Sequence, residues 1–270
     1  MIYNIDIQNL KNMIGCEVAQ ACSKVLPLID KLEAIAVMQF RLPPSIQTRV
    51  QLTEKELEIA SKAAVIRKNS WFSYLEILLE LSAKADFIAG GLLDAVNYHQ
   101  RHSKERTWFL KEQILAGELV RISSAEELKY PVALCSKVRT KENDQLHIPL
   151  LDFHVEKTVM AFEMVKRITR TLFGSDFIIL ATNRSFHSIG LTLKHDNEFR
   201  QVLARSILFA PIVDNAYVAH QLIEGEASLR ISKNEPNGQA PVVIALSCGE
   251  NLLSVSNLKN KNADIVVQKL

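Results

Sequence analysis

A chain of 270 residues with 48% hydrophobic and 23% charged residues can bury a sizeable core, which excludes an intrinsically disordered protein. The formal net charge is only +2, so no overall basic field indicates nucleic-acid binding, although local basic patches stay open. With 9 glycines and 8 prolines, the composition disfavours a barrel or sandwich joined by many tight turns.

The sequence also limits the cellular compartment. It contains no uninterrupted apolar run of about 18 residues, and its first residues lack the pattern of a secretory signal. The four cysteines form no CxxC pair, which favours reduced thiols. We therefore expect a cytoplasmic protein that has no membrane partner.

The first part of the chain predicts mostly helices. An amphipathic start is interrupted by Pro27, and residues 35–42 are ambiguous between strand and helix. Thr53 followed by Glu56 forms a capping box that begins the next helix. Further helical patterns cover residues 71–81, 89–99 and 104–119.

A local basic run over residues 99–106 lies just before Trp108. Cations beside an aromatic ring are able to contact a phosphate backbone and stack a base. The alternative is a solvated helix end, where cations are also favoured. The sequence leaves both interpretations open.

From about residue 131 the apolar pattern changes from helical to strand-like. The order becomes strand, helix, two strands, helix and strand, which is typical of a ferredoxin-like or RNA-recognition-type (RRM) fold. We therefore predict an α+β protein, with a helical N-terminal region followed by an antiparallel sheet and packed helices. The predicted elements are a hairpin over 131–155, helices over 156–173 and 196–210, and strands over 176–180, 188–193, 227–231 and 241–247.

Three polar clusters lie on these elements. Residues two apart on a strand share a face, so Asp152 points the same way as His154, and Ser185 the same way as His187. The clusters converge if the two strands are neighbours, and Asp214 joins them if its loop returns to that face. Grouped carboxylates bind divalent cations, which phosphoryl transfer uses to align the reacting oxygens.

The order of the clusters resembles the palm domain of the archaeo-eukaryotic primase superfamily, the primase-polymerases. That family has an Asp-x-Asp strand, a Ser-x-His strand, a hydrophobic-Asp element and a Leu-Arg-Leu-Pro-like strand. The matching residues here are 151–154, 185–187, 213–214 and 229–232. The resemblance covers about residues 130–247 and is greatest to small bacterial primase-like proteins with a helical region ahead of the palm.

The resemblance implies an organisation and a site. It implies a helical region over 1–128, an RRM/ferredoxin-like primase palm over 129–250 and a peripheral tail over 251–270, in which residues 265–267 could still pair at a sheet edge. The catalytic and metal-binding residues would be Asp152, His154 and Asp214, and the nucleotide-binding residues would be Ser185, His187 and Arg230. The implied cofactor is a divalent metal, Mn or Mg, and the implied partners are a nucleoside triphosphate, nucleic acid and further proteins.

One departure from the family pattern affects the expected activity. His154 stands where the family has its second acid. A neutral imidazole binds Mn but is a poor Mg ligand, and it removes one negative charge from the site. We therefore expect a partly degenerate site with weakened metal-dependent nucleotidyl transfer.

Other interpretations stay open at this stage. The chain could be a catalytically inactive primase-fold subunit for binding or assembly, by analogy in a mobile-element or phage-defence system. The clusters could also match by chance, with Asp152 capping a turn, His187 buried in a core and Arg230 paired with the acidic turn at 224–226. The absence of GxxxxGK[ST], GxGxxG, GxSxG and HExxH motifs excludes the corresponding P-loop, Rossmann, hydrolase and zinc-protease sites.

Overall fold

The structure of the protein, a computed structural model, describes most of the chain. The described residues are 11–39, 50–70, 72–86, 90–97, 106–125, 130–142, 144–233, 238–249, 251–255 and 267–269. Most of the basic run at 99–106 lies outside them. Across the described residues, every helix is too short or too polar to traverse a lipid bilayer.

Helices and antiparallel strands both contribute, so the predicted α+β class is confirmed. The helices are α1 (Val18–Val25), α2 (Glu54–Arg67), α3 (Tyr74–Lys84), α4 (Gly90–Asn97), α5 (Lys111–Leu115), α6 (Glu118–Ser124), α7 (Val159–Phe173), α8 (Asp196–Ser206) and α9 (Asn215–Glu224). The strands are β1 (Leu32–Gln39), β2 (Arg106–Leu110), β3 (Val132–Thr140), β4 (Gln145–His147), β5 (Leu150–Asp152), β6 (Phe177–Ala181), β7 (Phe186–Gly190), β8 (Ser228–Arg230), β9 (Val242–Cys248), β10 (Asn251–Val255) and β11 (Val267–Lys269).

The strands form two antiparallel sheets. One sheet has the order β2-β1-β3-β4, with β8 also paired to β3. The other has the order β11-β10-β9-β6-β7-β5. Helices precede this sheet region along the chain, as expected for the predicted palm. The strand that carries Arg230 belongs to the first sheet, whereas Asp152 and His187 lie in the second.

The chain divides into two compact units. Residues 41–102 form one unit, and residues 1–40 together with 103–270 form the other. This division differs from the predicted boundary between residues 128 and 129, because β1 lies between β2 and β3 in one sheet. Pairing between strands so distant in sequence leaves no local signal.

The smaller unit contains α2, α3 and α4 around its own apolar cluster, which includes Ile59, Leu78 and Leu92. Its first helix begins as predicted. The Thr53 hydroxyl accepts a hydrogen bond from the Glu56 amide, and the Glu56 carboxylate accepts one from the Thr53 amide. This reciprocal capping satisfies two of the free N–H groups at the helix start.

The predicted helix over residues 104–119 is wrong in its first part. Residues 106–110 form strand β2, which pairs with β1 and places Phe109 in the main core. The strand contains Thr107, Trp108 and Phe109, residue types that favour a pleated, half-buried surface. Two short helices, α5 and α6, follow it.

The larger unit has one main core that both sheets share, with Leu134 and Val138 from the first sheet and Ile178 and Ile189 from the second. Helix α7 covers the second sheet, and its Phe162 ring stacks on Phe186 with 6.0 Å between ring centroids. The helix is bounded close to the predicted ends. The Thr158 hydroxyl caps its first turn, and Gly174 ends it with a φ of 90°, a conformation that favours glycine.

The tail contributes to the second sheet. β10 pairs with β9, and β11 pairs with β10 at the sheet edge. Val267 therefore lies at an edge, as its apolar pattern allowed, whereas residues 265 and 266 lie outside the described residues. The four cysteines, Cys16, Cys22, Cys135 and Cys248, are free thiols, as expected.

Candidate functional site

Strands β5 and β7 bring the first two polar clusters together. Their antiparallel register places Asp152 directly opposite His187. The His187 Nε2 atom lies 3.3 Å from the Asp152 Oδ1 atom. Cross-strand partners in an antiparallel pair share one face of the sheet, so this contact follows from the backbone pairing.

The chain after Pro211 returns to β5 and brings in the third acidic residue. Phe153 forms an isolated bridge with Val213, and the His154 amide donates to the Ile212 carbonyl at 2.8 Å. The Asp214 amide in turn donates to the Asp152 carbonyl at 3.1 Å. These backbone bonds hold Asp214 beside the end of β5, the arrangement that the sequence analysis expected.

Each carboxylate oxygen of Asp214 has a neighbour within the protein. Its Oδ1 atom accepts the Tyr217 amide N–H at 2.9 Å and so caps α9. Its Oδ2 atom lies 3.8 Å from His154 Nδ1. One oxygen is therefore committed to the helix, whereas the other faces His154.

The electrostatics of the site are unfavourable for a second negative charge. The pKa of Asp214 is raised above its ordinary value, first by burial and then by the charge of Asp152. The helix cap and His154 act in the opposite direction without cancelling these effects. Two carboxylates that repel each other in a half-buried site are a favourable environment for a bound cation.

Arg230 belongs to the first sheet and interacts electrostatically with Asp152 of the second sheet. It lies at the end of β8, opposite Ala133 of β3, and its Nη1 atom donates to the Ser232 carbonyl at 2.5 Å. Burial lowers the pKa of the Arg230 guanidinium, and the negative charge of Asp152 partly offsets that effect. The acidic turn at 224–226 was considered as an ion-pair partner of Arg230. Its buried Glu226 forms an ion pair with Arg106.

Ser185 fixes the backbone that carries the first cluster. Its hydroxyl donates to the Phe153 carbonyl at 2.5 Å and accepts the Val155 amide N–H at 3.1 Å. Both bonds join β7 to the chain just after β5. The hydroxyl thus has a structural contact on each side, and its role in nucleotide binding stays a prediction.

Two polar atoms of the site have no hydrogen-bond partner among the described residues. They are the His187 Nδ1 atom and the Tyr217 hydroxyl, and both are buried. Burial, with the charges of Asp152 and Asp214, raises the pKa of Tyr217 well above its ordinary value. Tyr217 lies outside the sequence motifs. The available signal was its position three residues after Asp214, because side chains three apart on a helix lie on one face.

The side chains of the site suit a cation that is also coordinated by a bound ligand better than a cation coordinated by the protein alone. Within the described parts of the chain, no three His, Cys, Asp or Glu side chains are arranged to hold a metal ion. Mg²⁺ at nucleotide sites is commonly held by one or two carboxylates, with substrate phosphates and water completing its coordination. Asp152 and the Oδ2 atom of Asp214 would supply such a pair.

The comparisons with known proteins bear on this arrangement. Residues 112–242, just under half of the chain, match the family model described as archaeo-eukaryotic primase 1D-like. This segment is an archaeo-eukaryotic primase-like domain. The match confirms the superfamily that the sequence motifs predicted, and it includes all six residues named for the primase-like site. No curated protein and no solved structure matches the chain significantly.

Proposed function

We propose that the primase-like domain binds a nucleoside triphosphate together with one divalent cation, Mn²⁺ or Mg²⁺, between Asp152 and Asp214. The observation that supports this is the raised pKa of Asp214, which is caused first by burial of its carboxyl and then by the negative charge of Asp152. A cation bound there relieves the repulsion, and the triphosphate brings the oxygens that complete its coordination.

The remaining side chains have distinct tasks in this proposal. His187 contacts the phosphates through its unpartnered nitrogen, while its other nitrogen stays beside Asp152. Arg230, which interacts electrostatically with Asp152, adds a positive charge near the site. Mg²⁺ or Mn²⁺, when bound, would neutralise phosphate charge and orient the reacting oxygens.

The proposed reaction is metal-dependent nucleotidyl transfer on a nucleic-acid primer or template, at a weakened rate. His154 occupies the place of the family's second acid and lies against Asp214. The site therefore contains two carboxylates where the family pattern has three. Fewer negative charges hold fewer cations, which supports nucleotide binding more strongly than fast transfer.

A second function, a catalytically inactive binding or assembly subunit, is supported by a different observation. Asp152 is already in contact with His187, and Ser185 is bonded to the backbone on both sides. Side chains with such contacts inside the protein can persist as part of the fold after an activity is lost.

The two functions are distinguished by calorimetric titration of Mn²⁺ and ATP into the protein. The test variant is Asp152→Asn/Asp214→Asn, because asparagine keeps the α9 cap while removing both charges. The control is Asp30→Asn, which removes an exposed carboxylate outside the site.

We expect metal-dependent binding of about micromolar strength for the wild type and the control, and none for the double variant. Primer-extension assays with Mn²⁺ and Mg²⁺ then test transfer. Equal binding by wild type and double variant, or no binding by either, would contradict the proposed nucleotide site.

A further inference from the structure

Tyr217 belongs to none of the primase-like motifs, yet the site holds it in place. It lies in the first turn of α9, where the Asp214 carboxylate accepts its backbone N–H. Its ring packs against the main core. The same acid that would bind the cation therefore positions the backbone of Tyr217.

The hydroxyl of this tyrosine is unexplained by the fold. It is buried and has no hydrogen-bond partner among the described residues. Burial of a hydroxyl without a partner is unfavourable, and phenylalanine would fill the same space without that cost. A buried polar atom of this kind can be satisfied by a bound ligand, and its position beside Asp152 and Asp214 places it where the proposed nucleotide binds.

The surroundings of the hydroxyl indicate the chemistry of that ligand. A phenol is protonated near neutral pH and so offers a hydrogen to an acceptor atom. The charged neighbours that act on it are the carboxylates of Asp152 and Asp214. An anionic acceptor can lie beside two carboxylates only when a cation accompanies it, as the phosphates of a metal-bound nucleotide do.

A second unsatisfied atom lies in the same site. The His187 Nδ1 atom is buried and has no partner among the residues that the structure describes. The other ring nitrogen of His187 contacts Asp152. Two neighbours of Asp152, His187 on β7 and Tyr217 on α9, therefore each have an unsatisfied polar atom.

We infer that the Tyr217 hydroxyl donates a hydrogen bond to a phosphate oxygen of the nucleotide bound between Asp152 and Asp214. This inference rests on the proposed function and adds a residue that selects for the phosphate group. It makes Tyr217 a ligand-contacting residue, and the unsatisfied hydroxyl of the free protein is the cost of that contact.

The test is Tyr217→Phe, which removes one oxygen atom. Two probes are titrated with Mn²⁺: ATP, and inorganic tripolyphosphate, which has no sugar or base. We expect both probes to bind about tenfold more weakly to the variant, the effect of one hydrogen bond to a charged group. The thermal unfolding midpoint of the free variant should equal or exceed that of the wild type, because no protein hydrogen bond is lost.

The matched control is Tyr74→Phe in the smaller unit. The Tyr74 hydroxyl donates to the Ala60 carbonyl at 2.9 Å, so its removal should lower stability and leave both affinities unchanged. The two tyrosine variants thus have opposite expected effects on stability and on binding.

Several results would overturn the inference. Unchanged affinities for Tyr217→Phe, with wild-type binding intact, would show that the hydroxyl contacts no ligand while the proposed function stands. Weaker binding of ATP alone would place the hydroxyl on the sugar or base. A clear loss of stability would assign it a partner within the protein. Failure of the wild type to bind either probe would reject the proposed function together with the inference.

Discussion

The hydroxyl of Ser185 donates a hydrogen bond to the carbonyl of Phe153 at 2.5 Å, and this bond ties β7 to the chain that carries Asp152 and His154. The same hydroxyl accepts the amide N–H of Val155. One side chain thus holds the first polar cluster in register with the second.

Ser185→Ala should destabilise the larger unit by about 2 kcal/mol, because it leaves two backbone groups without their partner. It should also weaken binding of Mn²⁺ and ATP, since Asp152 loses its fixed position. Urea denaturation and calorimetry measure the two effects. The control is Ser124→Ala, whose exposed hydroxyl bonds only within its own helix. Equal effects of the two variants on stability would contradict the structural role of Ser185.

Asp214→Asn and Asp214→Ala should differ in stability although both lose the charge. Asparagine keeps the cap of α9, whereas alanine loses it at a cost of about 1 kcal/mol. The two variants should be equally deficient in nucleotide binding with Mn²⁺. Thermal unfolding and calorimetry on both variants check this, and equal stability would show that the cap contributes nothing.

The raised pKa of Asp214 also predicts a pH effect with a definite sign. The folded state binds this proton at a higher pH than the unfolded chain, so the ionised carboxylate opposes folding above its folded-state pKa. That opposition is relieved as the pH falls through this pKa. Asp214→Asn should therefore be more stable than the wild type at pH 7, and the difference should shrink towards pH 4 or so, near the ordinary value for aspartate. Urea denaturation across this range measures it, and a constant difference would contradict the assignment.

His147 should make the fold sensitive to mild acid. The ring is buried, stacks on Phe199 at 4.2 Å, and lies 3.1 Å from the Ser136 hydroxyl. Burial lowers the pKa of His147 to about 4, against an opposing effect of Asp196. The charges of Lys137 and Arg200 act in the same direction as burial. The folded protein thus contains His147 in its neutral form at pH 7.

The stability that depends on neutral His147 is complete above about pH 6.5 and is lost as the pH falls towards 4, by about 3 kcal/mol at most. His147→Gln should flatten the pH dependence of unfolding over this range, although it also loses the stacked ring. His195→Gln, which alters an exposed histidine, should leave that dependence unchanged. A slope that persists in His147→Gln would assign the acid sensitivity to other groups.

Arg106→Ala should destabilise the larger unit by about 3 kcal/mol, because it leaves the buried carboxylate of Glu226 without its ion-pair partner. Burial already raises the pKa of Glu226, so the unpaired carboxylate should take up a proton more readily in the variant. The double variant Arg106→Ala/Glu226→Gln should recover part of the loss. Urea denaturation of the single and double variants measures the coupling, and additive effects would contradict it.

His154→Asp should strengthen Mn²⁺ and Mg²⁺ binding and raise any primer extension, because it restores a third carboxylate beside Asp214. His154→Asn is the matched control, since it removes the ring without adding a charge. Assays of both variants with each metal separate the two functions proposed above. If His154→Asp changes neither metal binding nor extension, the domain is an inactive binding or assembly subunit.

Features that depend on neighbouring residues were predictable from the sequence. The capping box of Thr53 and Glu56 and the helix that ends at Gly174 follow from helix geometry. Local hydrogen bonds and side-chain periodicity determine these features. The primase-like motifs were recognisable for the same reason, since each spans only a few residues.

Other features depend on pairing across long stretches of chain. Residues 106–110 become a strand because β1, about seventy residues earlier, offers its backbone edge. Arg230 reaches Asp152 from a different sheet, through the pairing of β8 with β3. Tyr217 enters the site only because the chain before α9 bonds to the backbone of β5.

The sequence by itself therefore determined the α+β class, most helix starts and the identity of the polar clusters, because local geometry and residue chemistry act over a few residues. Only the tertiary structure decided which sheet each strand joins, which carboxylate raises the pKa of the other, and which buried hydroxyl lacks a partner. Those outcomes arise from burial and from contacts between distant segments, and these exist only once the core has formed.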